Sequence, residues 1–384
     1  MAIKTLRDMD FSGKKIMVRV DFNVPVKDGK VMNDVRIRKT IPTFQELLHL
    51  GATQLILLSH LGRPKEGYDS KLSLKPVAEH CAKLLGQEVA FVGNDFYQDI
   101  AEEYLPDAKV VMLENLRFHP GEKKNDAGFA EQLASLADVY VDDAFAAMHR
   151  AHASIVGVPR HLPGCIGLLV QEELAALQKL LKPRTPYYAI IGGAKEDKME
   201  AVENLMHFVD KILIGGVLGS TFLKAKGVNI QSSKYDAESL ETARRLLKEY
   251  GNRLLLPVDV VAAEKFDASA KHKNVPVNNI PDNWMIMDIG EKTREVYARQ
   301  LQDAKTIVWC GPIGVFEFPH FAEGTNALGE VMDKLTKQGC FTVVGGGESS
   351  YALEKFSKSH DSTGGGATLD FIQGKKLPGL GALE

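Results

Sequence analysis

The side chains best suited to chemistry fall into two sets that divide along the chain. The first 161 residues hold seven of the eleven histidines and eight of the fourteen arginines. Of the 34 glycines, the 12 in the first 170 residues are never adjacent to one another. The other 22 include Gly192-Gly193, Gly215-Gly216, Gly345-Gly346-Gly347 and Gly364-Gly365-Gly366. Guanidinium and imidazole groups grip a small anion through forked or directional hydrogen bonds, whereas glycine turns let backbone N–H groups approach phosphates. Two halves serving different ligands would be built this way.

In the first half the guanidinium candidates are Arg19, Arg36, Arg38, Arg63, Arg117 and Arg150, accompanied by His60, His119, His149 and His152. Guanidiniums converging on one edge repel one another unless an anion of about two charges or more sits among them, so a phosphorylated small molecule is the expected ligand. Asp21 and Asn23 are suited to hydrogen-bond a hydroxyl or carboxylate of that ligand, and equally suited to be turn or cap residues. His149 and His152 have the HxxH spacing that a helix would turn to one face. Without a third ligand at sound spacing, anion contact or a core position is the better reading than metal.

In the second half neither GxxxxGK[ST] nor GxGxxG occurs, so both common nucleotide fingerprints are missing. GGGES over 345–349 nevertheless has the parts of a phosphate cradle: a glycine turn, a helix start and a carboxylate able to take magnesium. Glycines in that place also serve as plain connections between strand and helix. Lys195 and Lys198, after a glycine pair, add mobile positive charge.

These motifs share one context. Apolar, β-branched runs (Ile16–Val20, Leu55–Leu58, Val110–Leu113, Val139–Val141, Tyr188–Ile191, Ile212–Ile214, Leu254–Leu256, Thr306–Trp309 and Phe341–Val344) each end in a polar or glycine motif, and a helix-like stretch follows. Nearly continuous apolar strands alternating with helices predict parallel sheets covered on both faces. Ligands of such sheets bind beyond the carboxyl ends of the strands, where the motifs fall. Between the halves, Val170, Leu174, Leu177 and Leu181 recur at helical spacing before Pro183, predicting a long helix over 167–182.

Composition sets the outer limits. A chain of 384 residues suggests two or three domains, two being the easier fit, and 45% apolar with 25% charged residues excludes global disorder. Lys plus Arg at 47 against Asp plus Glu at 50 argues against a nucleic-acid partner. Four scattered cysteines argue against a disulfide framework or structural zinc and for a reducing compartment. The start MAIKTLRDMD lacks the apolar stretch of a leader, and no run of 18 apolar residues offers a membrane span. A cytoplasmic protein without a membrane partner is expected.

Taken together, RVDFNVP (19–25), SHLGRP (59–64), ENLRFHPGE (114–122), DAFAAMHRAHAS (143–154), IGGAK (191–195), WCGPIGVFE (309–317), VVGGGES (343–349) and STGGGATLDF (362–371) resemble, in order and end to end, the phosphoglycerate kinase family. The resemblance implies reversible phosphoryl transfer between 1,3-bisphosphoglycerate and MgADP, giving 3-phosphoglycerate and MgATP, in glycolysis and gluconeogenesis. It implies an α/β fold of two Rossmann-like α/β/α domains with parallel sheets facing across a hinged cleft, acting as a monomer. The expected division is 1–166 for the acid substrate, with 379–384 returning to it, 167–182 as interdomain helix and 183–378 for the nucleotide.

Carried onto matching positions, the acid-binding set is Asp21, Phe22, Asn23, Arg36, His60, Leu61, Gly62, Arg63, Arg117 and Arg150. The nucleotide set is Gly193, Lys195, Lys198, Gly216, Gly311, Glu317, Gly345, Gly346, Gly347, Glu348 and Ser349, with Glu317 on the ribose and Glu348 on Mg2+. Arg36, Lys195 and Lys198 are the expected catalytic charges, and Gly365 and Gly366 are expected to meet phosphate on closure. Four departures from the family pattern fall in the nucleotide half: two residues rather than three between Lys195 and Lys198, Glu348 in place of aspartate, Cys310 in place of asparagine, and Val217 in place of a third glycine. A standard acid specificity with altered nucleotide preference or rate is the expectation.

Overall fold

The computed structural model describes residues 3–65, 67–193 and 198–384. The chain divides into two compact units, one formed by Met1–Ala175 with Lys375–Glu384 and the other by Ala176–Gly374.

The strands of the first unit are β1 (Lys15–Val20), a small hairpin of β2 (Val26–Lys27) and β3 (Lys30–Val31), β4 (Gln54–Leu58), β5 (Ala90–Val92), β6 (Val110–Leu113), β7 (Val139–Asp143) and β8 (Gly164–Ile166). Apart from the hairpin they form one parallel sheet in the order β5-β6-β4-β1-β7-β8. The two-residue period of a strand sends alternate side chains to opposite faces. Ile16, Val18 and Val20 accordingly join Leu55, Leu57, Val139 and Val141 in one core cluster, while Met17 joins Ile56, Leu58, Val111 and Tyr140 in another. Both faces are dry, which is why the runs are apolar without alternation.

In the second unit β9 (Tyr187–Ile191), β10 (Lys211–Ile214), β11 (Leu254–Leu255), β15 (Thr306–Cys310), β16 (Phe341–Gly345) and β17 (His360–Ser362) form a second parallel sheet, ordered β11-β10-β9-β15-β16-β17. Sequence periodicity misses an antiparallel sheet of β12 (Asp259–Ala263), β13 (His272–Pro276) and β14 (Met285–Ile289), ordered β13-β12-β14. Its middle strand continues directly from the apolar run at Leu254, and β13 (HKNVP) is mostly exposed and polar, so neither strand stands out as a separate apolar block. The helix predicted over 167–182 runs Leu168–Leu181, and the boundary between the units falls within it.

Candidate functional site

At the carboxyl end of β1 the chain leaves the sheet as Asp21-Phe22-Asn23. Asp21 Oδ2 takes a hydrogen bond from Arg36 Nη1 at 2.5 Å, and Arg36 sits in the first turn of the helix Val35–His49. Asn23 Oδ1 accepts the Gly62 N–H at 2.9 Å, which ties the loop after β1 to the loop after β4. Arg117, following β6, closes the group by donating from Nη1 to the Gly62 carbonyl at 2.6 Å. Gly62 has φ +62, and a Cβ there would come 2.7 Å from Leu72, so two constraints favour glycine.

The electrostatics match a site that waits for an anion. Burial, with Arg150 and Arg19 nearby, pushes the Arg117 guanidinium down to about 10. Arg150 is lowered by burial and by Arg63. Burial, then Arg19, Arg117, Arg36 and Arg150, hold His60 well below the usual imidazole range. Asp21 Oδ1 lies 4.0 Å from His60 Nδ1. With the ring held neutral, that is a polar contact and not an ion pair. Removing arginines from water beside one another is unfavourable unless a ligand's charge offsets it.

Not every expected residue offers a side chain. Phe22 is fully buried against Phe44, with ring centroids 6.3 Å apart, and its N–H goes to Ser59 Oγ. Leu61 is likewise core, its carbonyl taken by Asn115. Both hold the loops that carry Asp21, Asn23 and Gly62. Arg38 turns outward to Asp34, and His119 stacks on Phe129 at 3.9 Å while capping the helix Pro120–Lys124. The HxxH pair does not form one helical face: His149 accepts from Arg150 Nε, and His152 turns to the buried Glu122 carboxylate at 3.6 Å.

In the second unit the glycine motifs surround a slot of about 280 Å³. Gly193, Gly216, Glu317 and Glu348 line it, with Val217 in the same wall. Three glycine turns nearly touch: a Cβ on Gly216 would lie 2.6 Å from the Gly193 nitrogen, and one on Gly311 would lie 2.2 Å from the Gly192 carbonyl oxygen. Close backbone packing with positive φ at Gly193, Gly216, Gly311 and Gly346 explains why this half concentrates its glycines. Gly345 ends β16, and Gly347, Glu348 and Ser349 open the short helix Gly347–Ala352. Gly365 and Gly366 open the helix Gly366–Ile372, and Lys198 opens the helix Lys198–Leu205. Lys195 lies outside the described residues, as do Glu196 and Asp197 of the shortened lysine spacing.

Sequence reasoning missed the apolar side of the slot. Phe266, Met285, Met287 and Val260 come largely from the antiparallel sheet and carry no local motif. Cys310 is buried, with its Sγ close to Gly345, and is not among the residues that line the slot. Of the departures at Cys310 and Val217, Val217 is the one in the wall of the slot.

A cationic cluster at the edge of one sheet and a glycine-walled slot at the edge of another are what a small-molecule phosphotransferase requires. The family profile described as Phosphoglycerate kinase matches residues 6–375. The chain is 49% identical over 391 residues to phosphoglycerate kinase of Deinococcus radiodurans, covering 99% of this chain and 94% of that one. It is 47% identical over 394 residues to the enzyme of Moorella thermoacetica, covering 100% and 99%. The solved phosphoglycerate kinase of Coxiella burnetii superposes with a TM-score of 0.80 at 38% identity, covering 100% and 99%, and that of Pyrococcus horikoshii with 0.86 at 32%, covering 98% of each. The chain belongs to the phosphoglycerate kinase family.

Proposed function

We propose that this chain transfers a phosphoryl group reversibly between 1,3-bisphosphoglycerate and MgADP, yielding 3-phosphoglycerate and MgATP, as a cytoplasmic monomer. The observation that carries this is the pairing, in one chain of this family, of a preformed Asp21–Arg36–Asn23–Arg117 cluster with a glycine-walled slot bearing Glu317 and Glu348. The first is the acid site and the second the nucleotide site in this reading. Among the described residues no helix is long and apolar enough to cross a membrane, and the four cysteines are buried thiols outside any disulfide, which agrees with a reducing compartment.

The attacking group, a carboxylate or a phosphate oxygen, is already ionised, so no general base is needed. That agrees with His60, held neutral and poorly disposed to carry protons near pH 7. Catalysis is then positioning plus neutralisation of charge on the oxygens in flight. Arg36 serves from the acid side, and Lys195 and Lys198 from the nucleotide side. Gly365 and Gly366, at a helix start, offer backbone N–H groups to phosphate. Because the two ligand sets belong to different units, turnover requires a closing motion that joins them and excludes water from the acyl phosphate.

The donor set fits magnesium of one kind only. Among the described residues no group of three or more ligating side chains gathers, while Glu348 presents a hard carboxylate oxygen at the slot. Magnesium held by one carboxylate and the nucleotide's own phosphates suits that set. When bound, the ion neutralises charge on those phosphates. The departures at Lys198, Val217, Cys310 and Glu348 all concern this half, which supports an altered nucleotide preference or rate.

A coupled assay with 3-phosphoglycerate and MgATP, run beside Arg36→Ala, tests the reading. Turnover that falls by ~10²–10³ in the variant supports it. Turnover untouched by the substitution, or none in the parent chain, contradicts it.

A further inference from the structure

The sites above leave the wholly buried guanidinium of Arg19 without a role. Arg19 lies within β1, 1% exposed, on the same face as Met17. Parallel pairing sets it opposite Asp142 of β7 and Leu58 of β4. Its Nε donates to Ser154 Oγ at 2.8 Å, its Nη1 donates to the Val20 carbonyl, and its Nη2 lies 3.1 Å from His60 Nδ1. Ser154 passes the contact on: its hydroxyl and its N–H both donate to the Glu122 carboxylate, at 2.7 and 3.0 Å. The buried guanidinium is thereby paired with the buried Glu122 through one hydroxyl, the arrangement that makes such a charge tolerable.

A guanidinium has five donors and no acceptor. The ring nitrogen that faces it must therefore carry a lone pair, and the single proton of a neutral imidazole must sit on the other nitrogen. We infer that Arg19 is a positioning residue that locks His60 as the neutral Nε2–H tautomer, so that the ring offers the acid substrate one hydrogen-bond donor. The inference rests on the reading that His60 belongs to the acid-binding set.

The lock has something to oppose. Asp21 Oδ1 stands 4.0 Å from the same Nδ1, and a carboxylate so placed favours a proton there. The tautomer with its proton on Nδ1 would turn the Nε2 lone pair toward the oxygens of an anionic ligand, acceptor against acceptor. Arg19 removes that alternative by claiming Nδ1. Burial, then Arg19, Arg117, Arg36 and Arg150, keep the ring from becoming an imidazolium against the pull of Asp21.

The tautomer is read directly from long-range 1H–15N imidazole spectra of the full-length chain labelled on histidine, with His60 assigned by loss of its signals in His60→Ala. The expected pattern is an unprotonated Nδ1 and a protonated Nε2 from pH 5.5 to 8. A protonated Nδ1 at pH 7, in either a neutral or a charged ring, overturns the inference. Since Arg19→Ala strands Glu122 and threatens folding, the kinetic variant is Arg19→Lys, which keeps the charge but not the fork.

That variant should raise KM for 3-phosphoglycerate roughly tenfold or more, as expected for one charge-assisted hydrogen bond, and leave KM for ATP unchanged. In a His60→Ala background the same substitution should add little. Equal rises in both KM values, or full additivity in that background, contradict a role through His60. Absence of turnover in the parent chain would count against the proposed reaction alone, and the spectra would still decide the tautomer.

Discussion

Ser349 Oγ accepts the Gly311 N–H at 2.7 Å, joining the glycine loops that follow β15 and β16. The carbonyl of the same glycine accepts the Trp309 indole N–H at 2.8 Å. The loop is thus held at both backbone atoms of a residue with φ +92. Ser349→Ala leaves a buried donor unsatisfied, which costs about 1–3 kcal/mol. The expected result is a rise in nucleotide KM with little change in KM for the acid, read from steady-state kinetics with each substrate varied in turn.

The glycine itself is less replaceable. A Cβ at Gly311 would sit 2.2 Å from the Gly192 carbonyl oxygen, a backbone atom that cannot swing aside. Positive φ adds strain for any other residue. Gly311→Ala should therefore lower the melting temperature and weaken nucleotide binding together, and a calorimetric scan with and without ADP checks both.

Asp21 restrains Arg36 at 2.5 Å. Asp21→Asn keeps the size but weakens the charge-assisted contact, worth about 1.5–3 kcal/mol when intact. Arg36 then has less to hold it in place, so KM for 3-phosphoglycerate should rise while the fold stays intact by circular dichroism. Unchanged acid kinetics would argue against Asp21 as a positioning group.

Tyr140 has one phenolic proton and two acceptors, Ser154 O at 2.7 Å and Asp142 Oδ2 at 3.1 Å. A protonated Asp142 resolves the shortage by donating to the phenol oxygen. Burial pushes this carboxyl up to about 6, against roughly 3.9 in an unfolded chain. With the folded value raised, its stabilising contribution is complete below about pH 4 and is lost as pH rises through about 6. In Asp142→Asn the amide oxygen can accept the Ala144 N–H and the amide NH2 can donate to the phenol, so the substitution preserves each contact. Asp142→Asn should stabilise the chain more at pH 7.5 than at pH 4.5, measured by urea unfolding. Asp143, pushed up to about 7 by burial, has the same sign and keeps part of the slope.

How much of this was legible before the fold is a question of range. Apolar runs ending in polar motifs determined two parallel sheets and the edges where ligands belong, because a strand buried on both faces leaves its mark within five or six consecutive residues. The helix Leu168–Leu181 was legible for the same local reason. Arginines after strands marked the cluster proposed as the acid site. The antiparallel sheet was not legible, since its middle strand runs on from the apolar stretch at Leu254 and its exposed strand lacks a pattern.

Tertiary structure alone decided which candidates converge. Phe22 and Leu61 sit within the acid-site motifs yet pack into the core, whereas Arg38, equally basic on paper, turns to Asp34 in solvent. Phe266 and Met287 enter the slot from outside every motif. Arg19 is the sharpest case: its type announced a ligand contact, and its pairing places it behind His60, where it acts on the ring instead. Spacing along a chain limits which residue types are available. Which atoms face each other depends on register, burial and hydrogen bonding between segments that only folding brings together.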